Sequence, residues 1–178
     1  MAPEPFTGST ERAEVTHHIL SVLVENKAGV LSRVAGLFSR RGFNIYSLAV
    51  APADESERFS RITIVVDAES APIAQVVGQL NKLINVVEIR DMGPGEAEER
   101  ELLLASVQVA ESDRSALLDQ VAEAGASVID VSPNAMTVSL AGTPSVIDAF
   151  EGFLVSRDAS VEIQRTGRVA LPRLNPSA

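Results

Sequence analysis

The stretch Ile19-Leu20-Ser21-Val22-Leu23-Val24-Glu25, then Asn26-Lys27-Ala28-Gly29, then Val30-Leu31-Ser32-Arg33-Val34-Ala35-Gly36-Leu37-Phe38, decides the fold of this chain. Its first seven residues are β-rich, and the four that follow have turn chemistry. Val30, Leu31, Val34, Leu37 and Phe38 then recur at helical spacing, and Gly42 stands where a helix stops on a left-handed residue. A strand therefore runs through a short turn into an amphipathic helix.

Working outward, Tyr46, Leu48 and Val50 alternate within a strand predicted over 45–51, and Ile62, Ile64 and Val66 within another over 61–67. The polar run Pro52 to Ser60 between them reads as a hairpin loop. Pro72 opens a helix whose apolar face is Ile73, Val76, Val77, Leu80, Leu83 and Ile84, and a strand follows from Val86 to Arg90. The order is βαββαβ. Residues 91–100 hold Gly, Pro and charges with nothing to bury, which reads as a domain boundary.

After that boundary the plan repeats. Leu102 to Val109 is a strand, and Ser112 or Asp113 can cap a helix that buries Leu117, Leu118, Val121 and Ala122 and ends at Gly125. Strands over 128–131 and 136–140 flank the turn Ser132-Pro133-Asn134. Thr143 is the expected cap of a last helix with Pro144 in its first turn, and a strand begins at Val161. The expected fold class is α+β, with tandem ferredoxin-like βαββαβ domains. The expected divisions are a flexible tail at 1–16, a first domain at 17–91, a linker at 92–100, a second domain at 101–172 and a tail at 173–178. Each domain has a marginal core for its size, and each sheet has open edges, so a homodimer is expected.

Composition narrows the function. Apolar residues are 46% of 178, enough for packed cores, and no apolar run approaches the roughly 20 residues of a membrane span, which points to a soluble protein. The absence of cysteine excludes thiolate metal sites and thiol nucleophiles and suits a cytoplasmic location. A net charge of −9, one Tyr and no Trp argue against nucleic-acid binding. The basic spot at Arg33, Arg40 and Arg41 reads as a solvated helix face, or else as a patch for an acidic partner.

No catalytic or metal-binding constellation emerges. His17 and His18 are adjacent on a strand and point to opposite faces, so they cannot chelate one metal. There is no phosphate-cradling Gly-x-x-x-x-Gly-Lys run, and the acidic runs lack the spacing of a calcium loop.

One junction remains. The amides of Gly29, Val30 and Leu31 open a helix, where unpaired donors and the helix dipole favour a carboxylate. Asn26 and Asn44 carry amides that both donate and accept, which suits a zwitterion such as a free amino acid. Equally, Asn26 and Gly29 only shape a tight turn, and Asn44 only starts a strand after Gly42.

The run Leu20 to Arg33, followed by Gly36-Leu37-Phe38-Ser39-Arg40-Arg41-Gly42-Phe43-Asn44-Ile45, closely resembles the ACT domain of acetolactate synthase (acetohydroxyacid synthase) small regulatory subunits. Ser47 to Pro52, Arg61 to Ile64, Gln79 to Ile84, Ile129 to Pro133 and Arg165 to Leu171 extend the resemblance over nearly the whole chain. It implies an N-terminal ACT domain and a C-terminal ACT-like domain in a non-catalytic homodimer. Such a chain activates a large catalytic subunit and transmits feedback inhibition by valine, sometimes also by leucine or isoleucine, in branched-chain amino acid biosynthesis. It would hold no cofactor itself; thiamine diphosphate, Mg2+ and FAD belong to the catalytic partner. The resemblance places the effector where two ACT domains meet, with Asn26, Gly29, Val30, Leu31 and Ser32 of one chain facing Asn44 and Ile45 of its neighbour. Tyr46 departs from the family, which is acidic there. The alternative is a stand-alone amino-acid-sensing ACT protein that regulates a different enzyme or a transporter.

Overall fold

A computed structural model describes residues 17–67, 72–157 and 160–175. The elements are β1 (His17–Glu25), α1 (Val30–Arg40), β2 (Ile45–Pro52), β3 (Phe59–Asp67), α2 (Ile73–Leu80) and β4 (Val86–Met92). The same sequence recurs in β5 (Ala97–Gln108), α3 (Arg114–Glu123), β6 (Ser127–Val131), β7 (Ala135–Gly142), α4 (Pro144–Val155) and β8 (Val161–Arg165), and β9 (Val169–Pro172) follows. The sheets are ordered β2-β3-β1-β4 and β6-β7-β5-β8, the tandem ferredoxin-like arrangement that the periodicity predicts.

Within the first unit, the alternation of β1 sends Leu20, Val22 and Val24 to one face, where they meet Val34, Leu37 and Phe38 of α1 and Val76 and Leu80 of α2. No side chain caps α1. Its four buried residues, each contributing roughly 1.5–3 kcal/mol, outweigh a cap worth about 1 kcal/mol. The helix stops with the Phe43 amide on the Phe38 carbonyl and the Gly42 amide on the Ser39 carbonyl. α3 stops in the same way, with Ala126 on Val121 and Gly125 on Ala122, so both helix ends follow the Schellman pattern that the glycines predict. In the second unit Leu103, Ala105 and Val107 of β5 pack with Leu117 and Val121 of α3 and Ile147, Phe150 and Leu154 of α4.

The structure departs from the sequence reading in four places. α2 ends at Leu80, so Ile84 lies past the helix in the following turn and is 95% exposed instead of buried. Residues 91–100 are not a stretch with nothing to bury: Met92 and Ala97 are both buried, and the chain between them is a turn closed by the Glu96 amide on the Gly93 carbonyl. Thr143 and Asp113 do stand at helix starts, but neither makes a side-chain cap. Finally, the compact units share the expected boundary near residue 100 but not the expected end of the second domain at 172, and the expected tail at 1–16 lies outside the described residues. Arg100–Thr166 forms one, and Gly167 onward groups with the unit that runs up to Glu99.

The physical reason for that last difference is a second, smaller core. The face of the first sheet opposite its helices carries Ile19 and Val65, which Met92, Ala97 and Ala170 cover. Gly167, at φ +80°, lies so close that a Cβ there would stand 3.0 Å from the Leu48 carbonyl oxygen. The Arg168 amide donates to Ser47 Oγ at 2.8 Å, and its guanidinium lies 4.8 Å above the Tyr46 ring. Among the described residues no helix is long and apolar enough to cross a membrane.

Candidate functional site

The junction between β1 and α1 is built on two backbone bonds: the Glu25 amide donates to the Asn85 carbonyl at 2.9 Å and the Asn26 amide to the Arg58 carbonyl at 2.8 Å. Gly29 then turns the chain at φ +81°, ψ −2°, a left-handed conformation costing a side-chain-bearing residue roughly 1–2 kcal/mol. That turn lets α1 begin abruptly. With no acidic residue in its first turn and no side-chain cap, the positive end of its dipole faces outward.

The seven residues singled out by sequence do not behave alike. Leu31 and Ser32 are exposed in the first turn of α1. Val30 is buried, and its amide is not an outward donor as expected, because it donates to the Lys27 carbonyl at 3.2 Å. The Asn26 side chain donates to the Glu57 carbonyl at 2.8 Å, so it does shape the adjoining loop, and its amide oxygen is what it retains to offer a cation. Glu57 is held there at φ 52°, the sole positive-φ residue other than glycine among those described. A shallow open groove lined by Glu25, Asn26, Lys27, Glu57, Arg58 and Phe59 runs beside the junction.

Asn44 and Ile45 lie elsewhere. Glu25 pairs with Phe59 at one end of β3, whereas Ile45 pairs with Val66 at the other. Seven residues of extended strand separate those positions, roughly 23 Å. Within one chain the structure therefore gathers Asn26, Gly29, Val30, Leu31 and Ser32 and leaves Asn44 and Ile45 at the far end of the sheet. Ile45 opens β2, which is an edge strand.

Four charged or polar groups outside the predicted site complete the junction. The Glu25 carboxylate accepts from Lys27 at 3.0 Å and from Asn85 at 2.6 Å, and Asn85 accepts from Arg33 at 2.9 Å. The Lys27 and then the Asn85 hydrogen bonds hold the Glu25 carboxyl below its ordinary value. Arg33 and Glu25 were visible in sequence only as part of a solvated face and the end of a strand. Asn85 carried no signal beyond being a turn residue before β4. Among the described residues no group of three or more His, Cys, Asp or Glu could hold a metal ion.

A family model described as AHAS small subunit-like ACT domain matches residues 20–88, and one described as small subunit of acetolactate synthase matches residues 100–174. The acetolactate synthase small subunit of Mycobacterium avium is 48% identical over 151 residues, covering 85% of this chain and 88% of that protein. This chain belongs to the acetolactate synthase small subunit family. Within the family, the acetolactate synthase isozyme 3 small subunit of Salmonella typhimurium is 42% identical over 87% of this chain and 94% of its own length. The crystal structure of the acetolactate synthase small subunit from Thermotoga maritima matches with a TM-score of 0.80 at 36% identity, covering 89% of this chain and 98% of that one. Family membership assigns the first βαββαβ unit as an ACT domain.

Proposed function

We propose that this chain is the non-catalytic regulatory subunit of an acetolactate synthase, a homodimer that activates the catalytic large subunit and conveys feedback inhibition by valine. Family membership supports the subunit assignment. The observation that carries the effector site is the split of its seven residues between opposite ends of one sheet, which leaves each chain with two half-sites.

A two-fold antiparallel pairing of β2 edges joins those halves. It sets Ile45 of one chain beside the Pro52 end of β2 in the other, which is the end that carries Asn26 and the start of α1. It also satisfies the backbone groups that an edge strand leaves open. In the joined site the valine carboxylate faces the first turn of α1, the ammonium meets the Asn26 and Asn44 oxygens, and the isopropyl group lies against Leu31 and Ile45. Binding at 0.1 mM corresponds to about 5.5 kcal/mol, and a coupling of about 1–3 kcal/mol changes the partner's affinity or conformational balance several-fold. Thiamine diphosphate, Mg2+ and FAD belong to the catalytic subunit, and the assembly works in the cytoplasm.

The test is Asn44→Ala, with valine titrated calorimetrically into the regulatory subunit and acetolactate formation followed with the catalytic subunit added. The variant is expected to lose most of its valine binding and inhibition; inhibition at the wild-type concentration would remove Asn44 from the site. The rival reading, a sensor acting on a different enzyme or a transporter, is separated by co-purification. A catalytic large subunit captured with the chain supports the first reading, and its failure to associate at high concentration supports the second.

A further inference from the structure

The turn between α2 and β4 sends Asn85 inward until only 9% of it is exposed. Its backbone carbonyl accepts from the Glu25 amide, its side-chain oxygen accepts from an Arg33 Nη at 2.9 Å, and its side-chain nitrogen donates to the Glu25 carboxylate at 2.6 Å. A side-chain amide presents an acceptor to the guanidinium and a donor to the carboxylate from separate atoms of one rigid plane. Arg33 is exposed, yet this bond pins it. Its other terminal nitrogen, Nη1, lies 3.7 Å from where a Cβ on Gly29 would be, so the guanidinium sits beside the residue that opens α1.

The second unit supplies an internal control. There the Gln108 amide donates to the Ser160 carbonyl at 3.0 Å and the Val109 amide to the Asn134 carbonyl at 2.9 Å, repeating the two backbone bonds made by Glu25 and Asn26. Ser160, in the place of Asn85, is exposed, and Val109, in the place of Asn26, is buried and has no polar side chain. The strand-to-helix frame thus forms without the polar brace, and the brace in the first unit serves something besides the fold.

We infer that Arg33 is a further effector-binding residue, contributing a guanidinium to the effector's carboxylate, and that Asn85 is the positioning residue that aims it. The inference rests on the effector site proposed above and deepens it. The helix-start amides supply partial charge, Arg33 supplies a full one beside Gly29, and Asn85 keeps that cation from collapsing onto the Glu25 carboxylate by standing between the two. A monocarboxylate bearing an α-ammonium is the ligand class that such a site selects.

The experiment is valine titration of the full-length subunit in four variants: Arg33→Met, Asn85→Asp, Glu25→Gln and the double Glu25→Gln with Asn85→Asp. Arg33→Met is expected to weaken valine binding about tenfold or more, the size of one hydrogen bond to a charged group. Asn85→Asp sets two carboxylates together and is expected to weaken binding to a similar degree. In the double variant a glutamine donor faces an aspartate acceptor, so the bond re-forms with its polarity reversed and binding recovers most of what Asn85→Asp lost. A merely structural role would lower the urea midpoint of Asn85→Asp along with its affinity, so the unfolding midpoint, expected to stay near wild type, is read beside each titration. Gly29→Val and Asn44→Ala are run alongside. If these two lose valine while Arg33→Met and Asn85→Asp bind as wild type, the assignment of Arg33 and Asn85 is overturned and the site stands. If Gly29→Val and Asn44→Ala also bind as wild type, the site itself is overturned and the assignment falls with it. A double variant no better than Asn85→Asp overturns the positioning role.

Discussion

The two βαββαβ units share a backbone plan and differ at the place where strand turns into helix. In the first, Ala28 and Gly29 lead into α1 with no acidic residue in its first turn; in the second, Glu111 and Asp113 occupy a single 3-10 turn ahead of α3. The paired backbone bonds set Ala28 against Glu111, two residues after Asn26 and Val109 respectively. A helix start stabilises one nearby negative charge. The second unit supplies that charge from its own chain, whereas the first has no acidic residue there. One backbone frame thus carries two differently charged junctions, and on the function proposed above only the uncharged one receives the effector.

A parallel contrast appears at the last strand of each unit. Arg165 of β8 and Arg90 of β4 each stand five residues after the paired positions Ser160 and Asn85. Arg165 donates to Glu101 at 2.6 and 3.0 Å, to Asp148 at 2.8 Å and to Glu151 at 2.7 Å. The Glu101 hydrogen bonds, ahead of an opposing desolvation effect, raise its pKa well above the ordinary arginine value. Arg90 makes an ion pair with Glu88 in which both side chains are well exposed.

The largest expected effect breaks this second contrast. Arg165→Met leaves three carboxylates together, Glu101 among them with its side chain 4% exposed, and should destabilise the protein by about 3–5 kcal/mol. Arg90→Met should cost under about 1 kcal/mol, because an exposed pair contributes little. Urea unfolding of both variants checks the pair. Equal losses would show that the two arginines play equivalent parts.

A smaller effect sharpens the first contrast. Ala28→Glu transplants the acid of the second unit into the first and should weaken valine binding about 1.7-fold to fivefold, given the roughly 0.3–1 kcal/mol that a charge contributes at a helix start. Titration at low and high salt checks the cause, since the loss should shrink as salt screens the added carboxylate. An unchanged affinity at low salt would mean that the charge at this junction is immaterial to the ligand.

The smallest effect concerns acid. Glu25 has a folded-state pKa below its ordinary value of 4.5, owing first to Lys27 and then to Asn85. A group depressed on folding adds stability above its unfolded pKa and loses it as the pH falls through the folded value. The advantage of wild type over Glu25→Gln should therefore be present at neutral pH and vanish on acidification below about pH 4.5. Gln108, its partner position, has no such dependence to lose. Parallel melts of wild type and variant from pH 7 downward test this, and an advantage that persisted at the acid end would exclude the carboxylate as its source.

Most of the architecture was legible in sequence because it rests on short-range chemistry. The alternation of Leu20, Val22 and Val24, the helical spacing of Val30, Val34, Leu37 and Phe38, and the glycines at 42 and 125 are local patterns, and each became the predicted element. Ile84 was misread because periodicity continues past a helix end when an apolar residue happens to fall in phase. Of the site, Asn26, Gly29 and Leu31 were legible as a turn and an outward helix start. The engagement of the Val30 amide by Lys27 was not, since local spacing does not say which of several first-turn donors finds a carbonyl.

By itself, then, the sequence determined two copies of one fold, the family, and the glycine turn that opens α1. Three things were left to tertiary structure. The chain from Gly167 joins the first unit because Ile19 and Val65 present an apolar face that only distant residues such as Ala97 and Ala170 can cover. Asn44 and Ile45 lie at the opposite end of the sheet from Gly29, because strand register fixes distances that sequence separation does not encode. Asn85 reaches Arg33 across fifty-two residues because a buried amide takes whatever donor and acceptor the packing brings to it.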